Sequence, residues 1–145
     1  MFPSLAFRVD LPYSSNMEYE RDQHNTHLIL YHVLFCPKRK RKVLVGPIQD
    51  RLRQIISEAA QEHGWSILTL TIAPDHVYLH VRSNPETGPS AIVRTMKRRS
   101  ARFLRNEFPQ LKRLPSLWTK ATFYSTAHEI SSGVIQHYIE QQPKI

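Results

Sequence analysis

The chain has one cysteine, no long apolar run and little acid, and each shortage excludes a class of protein. Cys36 stands alone among 145 residues, so there is no disulfide framework and no cysteine-rich zinc site. No apolar run approaches the ~20 residues that a membrane-spanning helix needs. The opening residues also lack the basic-then-apolar order of a secretory signal. These absences favour a cytoplasmic protein with no membrane partner.

Basic residues outnumber acidic ones by 20 to 12, which gives a net charge of +8. One cluster follows the first apolar segment and contains Lys38, Arg39, Lys40, Arg41 and Lys42. A second lies within one predicted helix and contains Arg94, Lys97, Arg98, Arg99, Arg102 and Arg105. Like charges three and four residues apart on a helix repel unless a polyanion neutralises them. A solvated surface explains one such cluster; two clusters favour a nucleic acid, with DNA and RNA both open.

The length and the hydrophobic content of 41% predict one domain with a real core. Residues 1–22 show no periodicity and are predicted to be an N-terminal extension, leaving residues 23–145 as the domain. Alternation predicts strands at residues 27–35, 65–72, 76–82 and 118–126. Helical spacing predicts helices at residues 47–63, 90–107 and 132–142, with Ser90 and Ser131 as N-caps and Gly64 as a stop.

This order of elements, βαββαβ followed by an additional C-terminal helix, predicts an α+β fold. It is the ferredoxin-like arrangement, an antiparallel sheet with two helices on one face and the other face free. Alternation puts His76, Tyr78 and His80 on the free face. On the last helix, Tyr138 and Gln142 are four residues apart and share a side. Each residue alone has a structural explanation, but together they can hold a divalent cation beside an oxygen nucleophile.

Four segments resemble the single-tyrosine HUH transposases of the smallest bacterial insertion sequences, and the resemblance spans residues 27–142. The segments are CPKRKRKVL (36–44), PDHVYLHV (74–81), LWTKATFYST (117–126) and VIQHYIEQQ (134–142). The resemblance implies that Tyr138 is the nucleophile and that Gln142 and His76 bind the metal. Tyr124 is the rival nucleophile, although packing in a strand explains it.

The chain departs from the family motif at Tyr78, where the second metal-binding histidine is expected. His80 is a poor replacement, because residues four apart on a strand are ~13 Å apart and residues two apart only ~7 Å. A neutral phenol is also a weaker ligand than imidazole for Mg²⁺. Asp75, water and a DNA phosphate are the other ligands available.

The resemblance further implies cleavage and rejoining of single-stranded DNA at hairpin ends, through a 5′-phosphotyrosine, with Mg²⁺ or Mn²⁺ as cofactor. It implies a homodimer in which the last helix presents its tyrosine to the partner, and basic surfaces that grip the hairpin. The predicted DNA-binding residues are both basic clusters without Arg99. Two other functions stay open: a non-catalytic binder of hairpin DNA or RNA, and a metal-dependent ribonuclease. The ribonuclease is disfavoured because Tyr138 and Gln142 would be idle in it.

Overall fold

The computed structural model describes residues 20–21, 26–126 and 132–142. Two short strands, β1 (Glu20–Arg21) and β2 (Thr26–His27), pair antiparallel ahead of the main sheet. The remaining elements are β3 (Ile29–Phe35), α1 (Pro47–His63), β4 (Ser66–Ala73), β5 (His76–Ser83), α2 (Pro89–Glu107), β6 (Phe123–Ser125) and α3 (Ser132–Glu140). Short 3-10 helices lie at Lys38–Lys40 and Pro109–Arg113. In these ranges no helix is long and apolar enough to cross a membrane.

The main sheet has the strand order β4-β5-β3-β6, and every neighbouring pair is antiparallel. Strand β5 lies between β3 and β4, so the first βαβ unit is split by the strand that follows it. This is the ferredoxin-like arrangement. The predicted α+β class, with an additional C-terminal helix, is confirmed.

Helices α1 and α2 cover one face of the sheet and form the main core. The buried stripe of α1 includes Leu52, Ile55 and Ile56, each at most 1% exposed. It packs with inward residues of the sheet such as Phe35 and Leu79. As the sequence predicts, α1 ends at Gly64, whose φ of 75° is in the left-handed region that glycine adopts without strain.

Two local predictions were wrong. The fourth strand spans only Phe123–Ser125, because Trp118 leaves the strand pattern to fill the core. The Trp118 ring meets Phe35 edge-on at 4.7 Å, and its Nε1 donates to the hydroxyl of Ser100 at 2.9 Å. Ser90 is not an N-cap, because α2 already begins at Pro89 and its N-cap is Gly88. Burial of the Trp118 ring explains the short strand, and the preference of proline for the first helical turn explains the start of α2.

Some predictions lie outside the described residues. Of the expected extension at residues 1–22, only Glu20–Arg21 is described. The division of the chain at residue 22 therefore stays a prediction. The predicted N-cap Ser131 also lies outside the described residues and is likewise untested.

Candidate active site

The second face of the sheet gathers imidazole, phenol and thiol side chains from two neighbouring strands. The register pairs His32 with His80 and Leu34 with Tyr78, and residues paired across strands share a face. His76 shares it by alternation. The apolar residues between them on β5 belong to the main core. The predicted division of β5 between two faces is therefore confirmed.

This face is not free, contrary to the prediction, because α3 packs on it. Ile135 and Ile139 are buried against Leu34, Cys36 and Tyr78 and form a second, smaller cluster. The three candidate side chains of β5 are consequently at most 4% exposed. The sequence pattern could not reveal this, because it shows which strand residues share a face but not where the last helix lies.

Tyr78, at the position of the second motif histidine, is held by a residue that the sequence had not singled out. Its hydroxyl is hydrogen-bonded to Nδ1 of His32 at 2.6 Å, and both side chains are almost fully buried. The His32 ring also stacks on that of His80, with centroids 4.2 Å apart and planes 3° from parallel. His32 follows the alternation of β3, but only the strand register brings it beside Tyr78.

His76 is held by its neighbour in sequence. Its Nδ1 lies 2.9 Å from Oδ1 of Asp75, and the hydrogen bond from His76 lowers the pKa of that carboxyl below its ordinary value. A carboxylate on one ring nitrogen fixes the imidazole orientation and directs Nε2 away from it, as is common for metal-binding histidines. Asp75 thus orients His76 in this structure, and its use as a further metal ligand stays a prediction.

Tyr138 and Gln142 lie together at the end of α3, as their spacing predicts. Burial, together with the nearby Cys36 thiol, raises the pKa of Tyr138 to about 12, while the amide of Gln142 acts in the opposite direction. The Gln142 amide nitrogen donates to the backbone carbonyl of Tyr138 at 3.3 Å. The Tyr138 hydroxyl and Gln142 Oε1 are both buried, and neither has a well-formed hydrogen bond among the described residues. The two side chains predicted as nucleophile and metal ligand are thus neighbours that are shielded from solvent.

A small pocket of about 200 Å³ opens beside His76, and we call it the histidine pocket. Lys40 and Lys42 line it from residues 36–44, which we call the basic turn, and α3 contributes Gln136 and Ile139. The ring of Tyr138 lies instead against Phe123, with centroids 5.6 Å apart. Within one chain, α3 therefore covers the histidine pocket without placing its tyrosine in the lining.

The rival nucleophile Tyr124 lies on the opposite face of the sheet. It pairs with Val33 of the main core, whereas its neighbour Phe123 pairs with Leu34 of the second cluster. Its side chain is 46% exposed. Since His76 is on the face of Leu34, the geometry favours Tyr138. His137, which precedes Tyr138 on α3, is exposed.

The donors present fit a loosely held hard cation better than a closed metal site. The described ranges contain no group of three or more His, Cys, Asp or Glu side chains arranged to hold a metal. His76, oriented by Asp75, and the amide oxygen of Gln142 are the two suitable donors. Mg²⁺ commonly uses few protein ligands and completes its shell with water and phosphate oxygens.

The predicted DNA-binding cations of α2 divide into two groups. Arg94, Arg98 and Arg102 are exposed. Lys97 donates to the carbonyls of Thr119 and Ala121, and burial lowers the pKa of its amine to about 8. Arg105 donates to the carbonyl of Leu114 at 2.9 Å. Lys97 and Arg105 therefore brace loops of the fold, which the spacing of charges along a helix could not reveal.

Comparison with known proteins gives one consistent family. The family model for the IS200-like transposases matches residues 25–142. The ISDra2 transposase TnpA of Deinococcus radiodurans is 31% identical over 129 residues, covering 87% of this chain and 92% of that protein. The transposase for insertion sequence element IS200 of Salmonella typhimurium is 24% identical over 115 residues, covering 77% and 75%.

Solved structures agree with the family match. A crystal structure from Deinococcus radiodurans R1, described as a transposase, has a TM-score of 0.81 at 28% identity and covers 87% of this chain and 99% of that one. The REP-associated tyrosine transposase bound to a REP hairpin has a TM-score of 0.51 at 13% identity, with 86% and 69% covered, and supports the fold alone. The family model, the relative with 31% identity and the shared fold lead to one conclusion: the chain belongs to the IS200-like transposase family.

Proposed function

We propose that this protein cleaves and rejoins single-stranded DNA at hairpin-marked element ends, with Tyr138 as the nucleophile. The observation that carries the proposal is the α3 face of the sheet. It combines an imidazole held by a carboxylate, a pocket lined by two lysines, and a helix bearing Tyr138 beside Gln142. Tyr124, the rival nucleophile, lies on the other face.

The proposed reaction conserves the free energy of the phosphodiester bond in a covalent intermediate. The Tyr138 oxygen attacks phosphorus and loses its proton, and the bond to the 3′ oxygen of the preceding nucleotide breaks. A 5′-phosphotyrosine forms, and the departing strand takes up a proton as a free 3′-hydroxyl. Attack by a 3′-hydroxyl on the phosphotyrosine reverses the step and releases Tyr138. Rejoining therefore needs no nucleotide cofactor.

The residues around the histidine pocket suit this chemistry. Lys40 and Lys42 line the pocket beside Asp75 and His76, so their two positive charges can neutralise a phosphate that binds there. His76 and Gln142 are the side chains that would hold Mg²⁺ or Mn²⁺, with His76 oriented by Asp75. Such a cation, when bound, supplies a positive charge that polarises the scissile phosphate.

A homodimer is the proposed working form. Within one chain Tyr138 packs against Phe123 and does not line the histidine pocket, and burial raises its pKa to about 12. Because burial disfavours the phenolate, Tyr138 in this position is a weaker nucleophile than an exposed phenol. Transfer of α3 to the histidine pocket of a second copy would free the phenol from this cluster.

The proposed DNA ligand has a hairpin. The related REP-associated tyrosine transposase is bound to a REP hairpin, which supports a hairpin ligand for this chain as well. The exposed arginines of α2 and the basic turn are the candidate contacts to its backbone. The cytoplasmic location stays a prediction.

A non-catalytic hairpin binder is the second candidate, and the state of Tyr78 favours it. At the position expected to supply a second imidazole, the Tyr78 hydroxyl is instead engaged by His32. A protein with a single imidazole at the site would bind the cation weakly and retain DNA affinity from its basic surfaces.

Denaturing gel electrophoresis separates the two candidates. The protein is mixed with Mg²⁺ or Mn²⁺ and with labelled single-stranded oligonucleotides that cover the DNA on either side of its gene. A covalent protein–DNA band that requires the cation supports the transposase. A mobility shift in native gels with no covalent band under any cation contradicts it and supports the binder.

A further inference from the structure

The basic turn separates two pockets, and its side chains alternate between them. Lys40 and Lys42 line the histidine pocket. Arg39, Arg41 and Val43, which alternate with those lysines, line a different pocket of about 420 Å³. We call this second cavity the outer pocket. Arg41 has extended backbone angles, with φ −70° and ψ 140°, so the side chains on either side of it point the opposite way. Arg39 and Lys40 belong instead to the short 3-10 turn, and their side chains are divided by its left-handed backbone.

The outer pocket has a cationic rim and an apolar floor. Arg39, Arg41 and Arg113 supply the charges, and no acidic residue is part of its described lining. The floor is aliphatic, with Leu111 and Leu114 almost fully buried. Such a lining is complementary to a ligand that is flat and apolar in one part and anionic in the next.

A second large basic cavity, the groove between α1 and α2, differs in charge. The groove between α1 and α2 measures about 590 Å³ and is lined by Arg98, Arg99 and Arg102, but also by Glu58 and Glu62. Glu62 pairs with Arg99 at 2.9 Å. The charges of that groove are partly neutralised within the protein, whereas those of the outer pocket are left for a ligand.

The backbone holds the basic turn in place before any ligand binds. The amide of Lys38 donates to the carbonyl of Leu117 at 2.7 Å, and that of Leu44 donates to Pro74 at 3.0 Å. Between these anchors, Arg39 and Lys40 have φ values of 60° and 54°, which side-chain-bearing residues rarely adopt. The division of side chains between the two pockets is thus fixed at both ends of the turn.

We propose that the outer pocket binds an unpaired base of single-stranded DNA while the same strand crosses the basic turn to the histidine pocket. This inference rests on the proposed function and deepens it, since it gives the protein a base-binding subsite. Guanidinium groups bind phosphate oxygens and stack on planar rings, and the aliphatic floor accepts a base that is not paired. A paired base is stacked between its neighbours and cannot enter a pocket without leaving the duplex, so the subsite should favour unpaired DNA.

Val45 offers the direct test, because it lines the outer pocket and is 48% exposed. Val45→Asp puts a carboxylate among the three arginines without removing a buried side chain. Leu68→Asp is the matched control: it makes the same change in charge at an aliphatic residue of β4 that is 36% exposed. The probes are a labelled oligothymidine of about twelve nucleotides and an abasic backbone of the same length.

The parent should bind the oligothymidine at least about fivefold more tightly than the abasic strand, because base stacking adds affinity at equal charge. Val45→Asp should lose most of this preference, and Leu68→Asp should keep it. Arg113→Ala provides a second variant in case Val45→Asp does not fold, and it should also lower the preference. Retention of the parent's preference in the folded variants, or its absence from the parent, would overturn the proposal.

Two further outcomes keep the proposals separate. If an oligouridine of the same length binds more tightly than oligothymidine through the same residues, the assignment to DNA is overturned. If Val45→Asp abolishes the base preference but the parent forms no covalent adduct, the base subsite stands and the proposed reaction fails. If the parent forms the adduct but Val45→Asp leaves the base preference unchanged, the proposed reaction stands and the base subsite fails.

Discussion

Helices α1 and α2 cover one face of the sheet with a continuous apolar core, whereas α3 covers the other chiefly through Ile135 and Ile139. The first face is almost wholly apolar, and its buried Ser100 hydroxyl accepts a hydrogen bond from Trp118. The second includes imidazole, phenol and thiol side chains among its buried residues. The contrast indicates that the first face supplies most of the stability, and the second is the face to which we assign the proposed chemistry.

The largest expected effect belongs to the first face. Leu52 is fully buried in the main core, so Leu52→Ala should lower the free energy of unfolding by about 2–5 kcal/mol. Chemical denaturation measures it. A loss below about 1 kcal/mol would mean that the α1 face does not carry the stability.

Ile139→Ala should act on the second face alone, with a smaller global effect than Leu52→Ala. Ile139 holds α3 over Cys36, so its truncation should release α3 locally while the main core persists. Burial raises the pKa of the Cys36 thiol to about 12, so the parent should react slowly with a thiol reagent near pH 8. The variant should react faster. Equal labelling rates, or a global loss as large as that of Leu52→Ala, would contradict a separable α3.

Much of this contrast could be predicted from the sequence. Alternation on β5 separated its valines and leucine from His76 and Tyr78, and helical spacing put Tyr138 beside Gln142. The role of His32 could not be predicted, because it depends on the register that brings β3 beside β5. The departure of Trp118 from a strand depended on the shape of the core. Similarly, only the tertiary structure shows that Lys97 donates hydrogen bonds to backbone carbonyls.

Tyr78→His tests whether the second face has lost a metal ligand. The change recreates two imidazoles separated by one residue on β5, and imidazole suits Mn²⁺ better than phenol does. DNA nicking should then occur at a lower cation concentration, with hairpin affinity roughly constant. Tyr78→Phe is the control, since it removes the bond to His32 and adds no ligand. If the parent is strongly active and Tyr78→His inactivates it, Tyr78 is needed for activity and does not mark a lost metal ligand.

The smallest expected effect concerns the outer surface of α2. Arg98→Ala with Arg102→Ala should weaken binding to many DNA sequences alike and reduce the slope of log K against log salt. Each lost phosphate contact lowers that slope by roughly 0.7 to 0.9. Arg53→Ala with Lys120→Ala removes two exposed cations outside the predicted set and should leave the slope nearer that of the parent. An unchanged slope in the α2 variant would show that this surface does not contact the DNA backbone.

Comparing Tyr138→Phe with Tyr124→Phe tests the central claim most directly, because each change removes one hydroxyl and the two tyrosines lie on opposite faces of the sheet. The measurement is the covalent protein–DNA adduct on denaturing gels, with hairpin binding measured in parallel. Tyr138→Phe should form no adduct and bind the hairpin nearly as well as the parent, while Tyr124→Phe should form the adduct normally. An adduct that persists in Tyr138→Phe and disappears in Tyr124→Phe would contradict the assignment of chemistry to the α3 face.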